Sequence, residues 1–308
     1  MKNTGLSAGM MLAFAAYAAF SISDAYSKLL AGLIDPFEVA FSGGIFGLLL
    51  IPFIRGKNES YRDLFVIRQP VMWGLRAAAT FVATAASVEA FMLLPMPEAF
   101  SLIFLMPLFV TVLSVVLLRE KVSTLDWLSV IVGFVGVLIV LRPGLRALQF
   151  GHLCALIAAM ANAVGVIAYR LAGKNTPRLS IFGSSLCGPL LGNGALMVAH
   201  ASWPQGATIW MFLFGYGFLA ALGQLFMMMA ATRATASAIA LPQYSQMLWA
   251  VAFSSYVFHE LLDNWTFVGI AVIIASGLFK WGYPRAVTRL AAIRQQRLAP
   301  PCGPYPLA

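Results

Sequence analysis

The chain has 308 residues, 61% of them hydrophobic and 10% charged, with a formal net charge of +9. Soluble domains run near a quarter charged, so this composition excludes a water-facing surface of ordinary size and a separate soluble domain. The three cysteines, Cys154, Cys187 and Cys302, form no CxxC pair, which excludes a disulfide framework and a cysteine zinc site as organising devices.

Ten apolar segments follow in chain order, at roughly 6–31, 35–54, 70–93, 97–118, 125–142, 150–172, 180–200, 207–231, 235–258 and 265–283. Most are too long for core helices of a soluble protein. In lipid every backbone polar group must be satisfied internally, so each reads as a helix. Ten spans of ~20 residues need ~200 residues, which the chain supplies with short loops left over. The ~10-residue alternating segments of a membrane β-barrel are absent. The first run contains Ala16-Tyr17-Ala18, which resembles a signal-peptide cleavage site, but the apolar stretch continues well past it and reads as a span. The expected fold is an all-α membrane protein with ten transmembrane helices.

The loops set the orientation. With the amino terminus placed in the cytoplasm, 16 of the 20 Lys and Arg lie inside, Arg142 and Arg146 lie outside, and Lys28 and Arg76 fall within spans. The positive-inside rule therefore puts both termini in the cytoplasm of a plasma (bacterial inner) membrane protein. The basic stretch from Arg285 to Arg297 suits anionic lipid headgroups, and the Pro-rich end from Pro300 to Pro306 reads as a solvated tail.

An internal repeat is visible. Arg119-Glu120 matches His259-Glu260 at an offset of 140, Lys28 matches Arg170 at 142, and Pro36 matches Pro177 at 141. Each repeat holds five spans, an odd number, so the second half enters the membrane inverted. Such repeats mark secondary transporters, whose site lies near the midplane where the halves meet. The units are 1–146 and 147–285, followed by a tail at 286–308.

Several stretches resemble the EamA-type branch of the drug/metabolite transporter superfamily. They are Leu94-Pro95-Met96-Pro97-Glu98-Ala99, Phe104-Leu105-Met106-Pro107-Leu108-Phe109, Leu118-Arg119-Glu120-Lys121-Val122, Gly133-Phe134-Val135-Gly136-Val137 and Leu141-Arg142-Pro143-Gly144. The run from Ser23 to Lys28, followed by Phe37-Glu38-Val39-Ala40-Phe41, resembles the subgroup that includes bacterial S-adenosylmethionine uptake carriers. Members of that subgroup often carry an arginine early in span 2, where this chain has Gly43 and Gly44. The resemblance implies a ten-helix bundle with a central cavity and alternating access.

Ionisable groups inside a bilayer are costly and face the bundle interior. Here they are Asp24, Lys28, Arg76, Glu89, Glu98 and Arg170. Asp24 and Lys28 are four apart on one helix face and can pair, or Asp24 takes part in binding or coupling. Arg76 and Glu89 are ~20 Å apart along span 3 and cannot meet. Arg76 either snorkels to the headgroups or clamps an anion; Glu89 either neutralises Lys28 or carries a proton during transport. Glu120 and Glu260 end equivalent helices and suggest a shared structural job, such as accepting from amides at the next helix start.

Pro107 and Pro242 each break a helix ladder. Beside Pro242 lie Gln243, Tyr244, Gln246 and Trp249. Gln243, Tyr244 and Trp249, together with Tyr17, Asn162, Gln224 and Arg76, form the candidate substrate surface, set against the blander reading of interhelical hydrogen bonds. Gly43-x-x-x-Gly47 and Gly188-x-x-x-Gly192 permit close helix contact within the bundle, with a homodimer the lesser alternative. No HExxH, P-loop or catalytic constellation is present, so no cofactor is implied and an enzyme is disfavoured. The expected partners are membrane lipids and a small polar or amphipathic metabolite, amino acid-like or nucleoside-like, and no nucleic acid. The rival readings are an intramembrane enzyme and a membrane protein that transports nothing.

Overall fold

The structure, a computed structural model, describes residues 2–55, 59–119, 121–142, 147–172, 177–200, 204–231, 233, 242–260 and 262–279. Several sequence expectations lie outside these residues: Glu120, Arg146, the opening of the ninth segment before Pro242, Cys302, and the basic and Pro-rich tail.

All regular structure among the described residues is helical. Helix α1 spans Lys2–Leu29, α2 Pro36–Leu48, α3 Ile51–Ile54, α4 Pro70–Leu93, α5 Met96–Ile103, α6 Met106–Leu117, α7 Thr124–Leu141 and α8 Phe150–Ala172. Next, α9 at Arg178–Cys187 runs through a π-helical turn at Gly188–Asn193 into α10 at Gly194–His200. Then come α11 at Ala207–Ala231, α12 at Ser245–Tyr256 and α13 at Asn264–Phe279. Seven described stretches are long and apolar enough to cross a membrane, at Ala8–Leu29, Pro70–Leu93, Met96–Leu117, Thr124–Leu141, Phe150–Ala172, Leu179–Val198 and Ala207–Met227. Helices α2 and α13 are apolar but shorter, and α12 has 12 residues, so the count of seven among the described residues falls below the ten spans expected.

Helix boundaries follow local chemistry. Asp35 caps α2, its Oδ1 accepting from the Phe37 amide at 2.8 Å, with Pro36 at the first helical position. Ser123 caps α7 by accepting from the Asp126 amide. The fourth apolar segment breaks at Phe104–Leu105, ahead of Pro107, as the missing proline donor requires. In the seventh, Pro189 again removes an N–H and the backbone passes through a π-turn at Gly188–Asn193.

Packing fixes helix directions. Gly151 at the start of α8 abuts Leu93 and Leu94 at the end of α4, while Gly165 meets Ala79, so α4 and α8 run antiparallel. Helix α11 lies antiparallel to α1, with Gly223 against Phe20 and the Ser23 hydroxyl on the Tyr216 carbonyl at 2.7 Å. Helix α2 lies antiparallel to the α9–α10 element, with Gly44 against Leu190 and Gly47 against Leu186. Helix α13 lies antiparallel to α7, with Gly136 against Ile273 and the Ser129 hydroxyl on the Ser276 carbonyl at 2.8 Å. The GxxxG glycines thus serve close contact inside the bundle. Large apolar side chains such as Met11, Phe53, Val116, Ile131, Val198 and Leu248 remain exposed on its outside. A protein whose outer surface is this apolar is built for a lipid solvent.

Candidate functional site

A cavity of about 310 Å³ opens between α2, α4, α8, α9 with its π-turn, and α11. Its wall is largely small: Gly43, Gly44 and Gly47 from α2, Ala79 from α4, Ala161 and Gly165 from α8, and Ala220 and Ala221 from α11. Polar atoms come from Arg76, Thr80, Thr84, Asn162, Ser185, Tyr216 and Gln224. Arg76 is the one charged side chain among the described lining residues, and no carboxylate faces it.

Arg76 is held rather than loose. Its Nη1 donates to the Gly165 carbonyl at 2.9 Å, its Nη2 donates to Ser185 Oγ at 3.0 Å, and the guanidinium lies 5.6 Å from the Tyr169 ring centroid. Two helices that follow residue 147 therefore orient a cation supplied by α4. A guanidinium has five N–H donors, so these contacts leave it capacity for a further acceptor. Arg76 thus lies on the wall of this cavity.

Thr80 and Thr84 lie one and two turns beyond Arg76, on the same face. Each donates its hydroxyl back to its own helix, Thr80 to the carbonyls of Arg76 and Ala77 and Thr84 to those of Thr80 and Phe81. The fully buried Asn193 of the π-turn donates to Thr84 Oγ1 at 2.9 Å. Asn162 commits its amide to the Ala158 carbonyl at 2.9 Å.

Of the seven substrate candidates read from the sequence, the cavity takes three, Arg76, Asn162 and Gln224. The other four stand elsewhere. Tyr17 sits edge-on to Phe20 and beside Tyr244. Tyr244 packs on Phe104, ring centroids 5.7 Å apart, and against Gly277. Trp249 is partly exposed and stacks on Phe253. Gln243 is half-buried next to Pro242. Tyr244 thus packs between Phe104 and α13, and none of these four is among the described residues that line this cavity. Sequence reading passed over Thr80, Thr84, Ser185 and Tyr216, although the four-residue spacing of Arg76, Thr80 and Thr84 was a usable signal.

The ion pairs expected for Lys28 also differ. Its Nζ lies 2.6 Å from Glu260 Oε1 and donates to the Leu94 carbonyl at 2.5 Å, in place of a bond to Asp24 or Glu89. Asp24 instead lies near Tyr216, and Glu89 near Asp35. Glu260 consequently receives a cation and the Ser254 hydroxyl, not amides of the next helix. Glu98 faces His152 Nε2 at 3.7 Å. Among the described residues no cluster of His, Cys, Asp and Glu could hold a metal ion.

Known proteins place this arrangement in a family. The sequence pattern of the EamA-like transporter family matches residues 7–142 and again 149–279. An S-adenosylmethionine uptake transporter of Rickettsia prowazekii is 26% identical over 264 residues, covering 84% of this chain and 87% of that one. Its counterpart in Rickettsia bellii is 28% identical over 271 residues, covering 84% and 88%. A riboflavin transporter of Vibrio cholerae is 28% identical over 188 residues, covering 60% and 62%. A solved crystal structure has the same fold, with a TM-score of 0.62 at 20% identity across 94% of this chain and 99% of that one. The two pattern matches together span most of the sequence, and the chain belongs to the EamA-like transporter family, a multi-pass membrane transporter and not an enzyme.

Proposed function

We propose that this protein is a secondary transporter that carries a small polar metabolite bearing a single carboxylate, amino acid-like or nucleoside-like, through the Arg76 cavity by alternating access. In this reading ten spans form two inverted five-helix halves, residues 1–146 and 147–285, in a plasma membrane with both termini cytoplasmic. The observation that carries it is the charge pattern of the cavity: among the described lining residues, one anchored guanidinium with neutral amides and hydroxyls around it and no carboxylate. A partly buried guanidinium suits a bidentate carboxylate. A multiply anionic phosphate would call for more cations. A purely lipophilic substrate would leave Arg76, Asn162 and Gln224 facing an apolar surface, which costs about 1–3 kcal/mol per unpaired group.

The size fits. A cavity of about 310 Å³ lies at the lower end of small-molecule sites. The names of the relatives support the class: S-adenosylmethionine carries a carboxylate, an amine and a nucleoside in one molecule. Where that subgroup often has an arginine in span 2, Gly43 and Gly44 line this cavity, and the cation comes from α4 instead.

The test is uptake by protein reconstituted into liposomes, using labelled S-adenosylmethionine, riboflavin and the common amino acids as probes. A carboxylate-bearing probe should show saturable uptake, at least tenfold weaker in Arg76→Ala and partly retained in Arg76→Lys. Uptake of a carboxylate probe that is unchanged in Arg76→Ala would overturn the reading.

A further inference from the structure

Outside the cavity, two cation-centred contacts occupy opposite ends of the bundle. At one end Lys28, in the last turn of α1, reaches Glu260, with the Phe258 ring centroid 5.2 Å from its ammonium. Glu260 is itself fixed, its Oε2 accepting from the buried Ser254 hydroxyl and its amide donating to the Ser254 carbonyl at 2.8 Å. His259 has φ +51°, a left-handed conformation uncommon for a side-chain-bearing residue, in the turn that brings Glu260 back to Ser254. The Lys28 and Glu260 side chains are only 11% and 21% exposed.

At the other end Arg170, in the last turn of α8, donates to Oγ of the buried Ser114 on α6 at 3.2 Å. The chain leaves α6 through Arg119, which also has a left-handed φ, +54°. The parts correspond along the sequence: Lys28 with Arg170 at an offset of 142, Ser114 with Ser254 at 140, and Arg119 with His259 at 140. They are also inverted in space. Leu94 touches both Lys28 and Gly151, the second residue of α8, whereas Arg170 lies ~28 Å farther along that helix. Each contact pins the first helix of one half to the fourth apolar segment of the other.

We propose that these contacts are paired gates of the transport cycle, the Lys28–Glu260 latch closing one end of the bundle and the Arg170–Ser114 latch closing the other, with the two released alternately. The proposal rests on the transport reading above, because only an alternating cavity has use for two latches of opposite effect. Removing one partner of the partly buried Lys28–Glu260 pair leaves an uncompensated charge, and removing the Arg170 guanidinium deletes its bond to Ser114, so mutation of either latch biases the equilibrium towards the state in which that end is open. Opposite latches must then bias it in opposite directions, which a merely structural contact does not do.

The experiment is a pulsed electron–electron distance measurement between spin labels at Leu33 and Tyr256. Both are exposed, 51% and 82%, and flank the Lys28 latch along the sequence. The background is full-length protein in lipid nanodiscs with Cys154, Cys187 and Cys302 replaced by alanine. Lys28→Glu and Glu260→Lys should each raise the population of a longer distance at least threefold, and the double charge swap should restore the shorter one. Arg170→Glu should shift the same label pair the other way and, added to Lys28→Glu, reduce the longer distance. Distances unmoved in Lys28→Glu and Glu260→Lys, or Arg170→Glu shifting in the same direction as Lys28→Glu, would overturn the proposal. Where a charge reversal gives no monodisperse protein, Lys28→Met and Glu260→Gln carry the same readout. No transported molecule enters this measurement, so failure of the latches shows here and failure of the transport reading shows in the uptake assay.

Discussion

Arg76 donates to Ser185 Oγ at 3.0 Å, so the cation of the cavity is gripped by the last turn of α9, just ahead of the π-turn. At the π-turn Gly188 lets the chain press on the Ala77 carbonyl and the Thr80 hydroxyl of α4, and Pro189 interrupts the ladder.

This makes Gly188 a sensitive position. An added Cβ would collide with the backbone oxygen of Ala77, which has no rotamer by which to yield. Gly188→Ala should cost about 1–3 kcal/mol through overpacking. At Gly74, also helical, an added Cβ meets nothing within 4 Å, and Gly74→Ala should be neutral or gain up to about 1 kcal/mol from helix propensity. Melting in detergent, followed by light scattering, compares the two; equal midpoints would contradict the packing account.

Two glutamine and tyrosine positions separate cavity from packing. Gln224→Ala should raise the apparent KM for the transported molecule several-fold while leaving the melting temperature near wild type, because it removes a cavity amide. Tyr244→Ala should instead lower the melting temperature, because the ring packs on Phe104 and against Gly277. The reverse assignment, a KM effect at Tyr244 and a stability effect at Gln224, would move the site towards Pro242.

Asp263 supplies a pH signature at a helix end. Its carboxylate caps α13 and pairs with Arg142. Burial pulls its pKa up, but the Thr266 hydroxyl and amide and the Arg142 guanidinium outweigh that and bring it from 3.8 to about 2. A depressed carboxyl contributes its stability above the ordinary value and loses it as pH falls from 3.8 towards 2. The group is 31% exposed, so the contribution is about 1 kcal/mol after solvent screening. Asp263→Asn keeps a helix cap and removes the charge. Its melting deficit should be present at pH 7 and narrow between pH 4 and pH 2; a constant deficit would exclude the charge as its source.

The basic-residue count gives a topology test. A fusion at residue 308 of a reporter that fluoresces only in the cytoplasm should be bright, since 16 basic residues share that side with the tail and Arg142 and Arg146 lie opposite. A dark fusion with an active periplasmic reporter at the same point would reverse the orientation.

Much of the fold was legible because apolar runs and prolines act locally. The apolar segments were apparent from composition, and the break ahead of Pro107 followed from one missing donor. The π-turn was not anticipated, because Gly188-x-x-x-Gly192 read as a packing motif and Pro189 inside it was passed over. The partner of Lys28 was missed for a different reason: Asp24 and Glu89 are near in sequence or depth, whereas Glu260 is 232 residues away and arrives through a left-handed turn. In the cavity, Arg76, Asn162 and Gln224 stood out as polar groups at membrane depth. Thr80, Thr84 and Ser185 did not, because small hydroxyls that back-bond to their own helices are unremarkable in a membrane sequence.

The central claim is that Arg76 binds the carboxylate of the transported molecule. It is tested most directly by competition in proteoliposomes between a transported carboxylate and its own carboxamide, in wild type and in Arg76→Ala. The account predicts that the carboxamide competes at least tenfold more weakly in wild type, and that Arg76→Ala abolishes the difference by weakening the carboxylate alone. Equal competition by the two compounds in wild type, or a preference for the carboxylate that survives in Arg76→Ala, would contradict it.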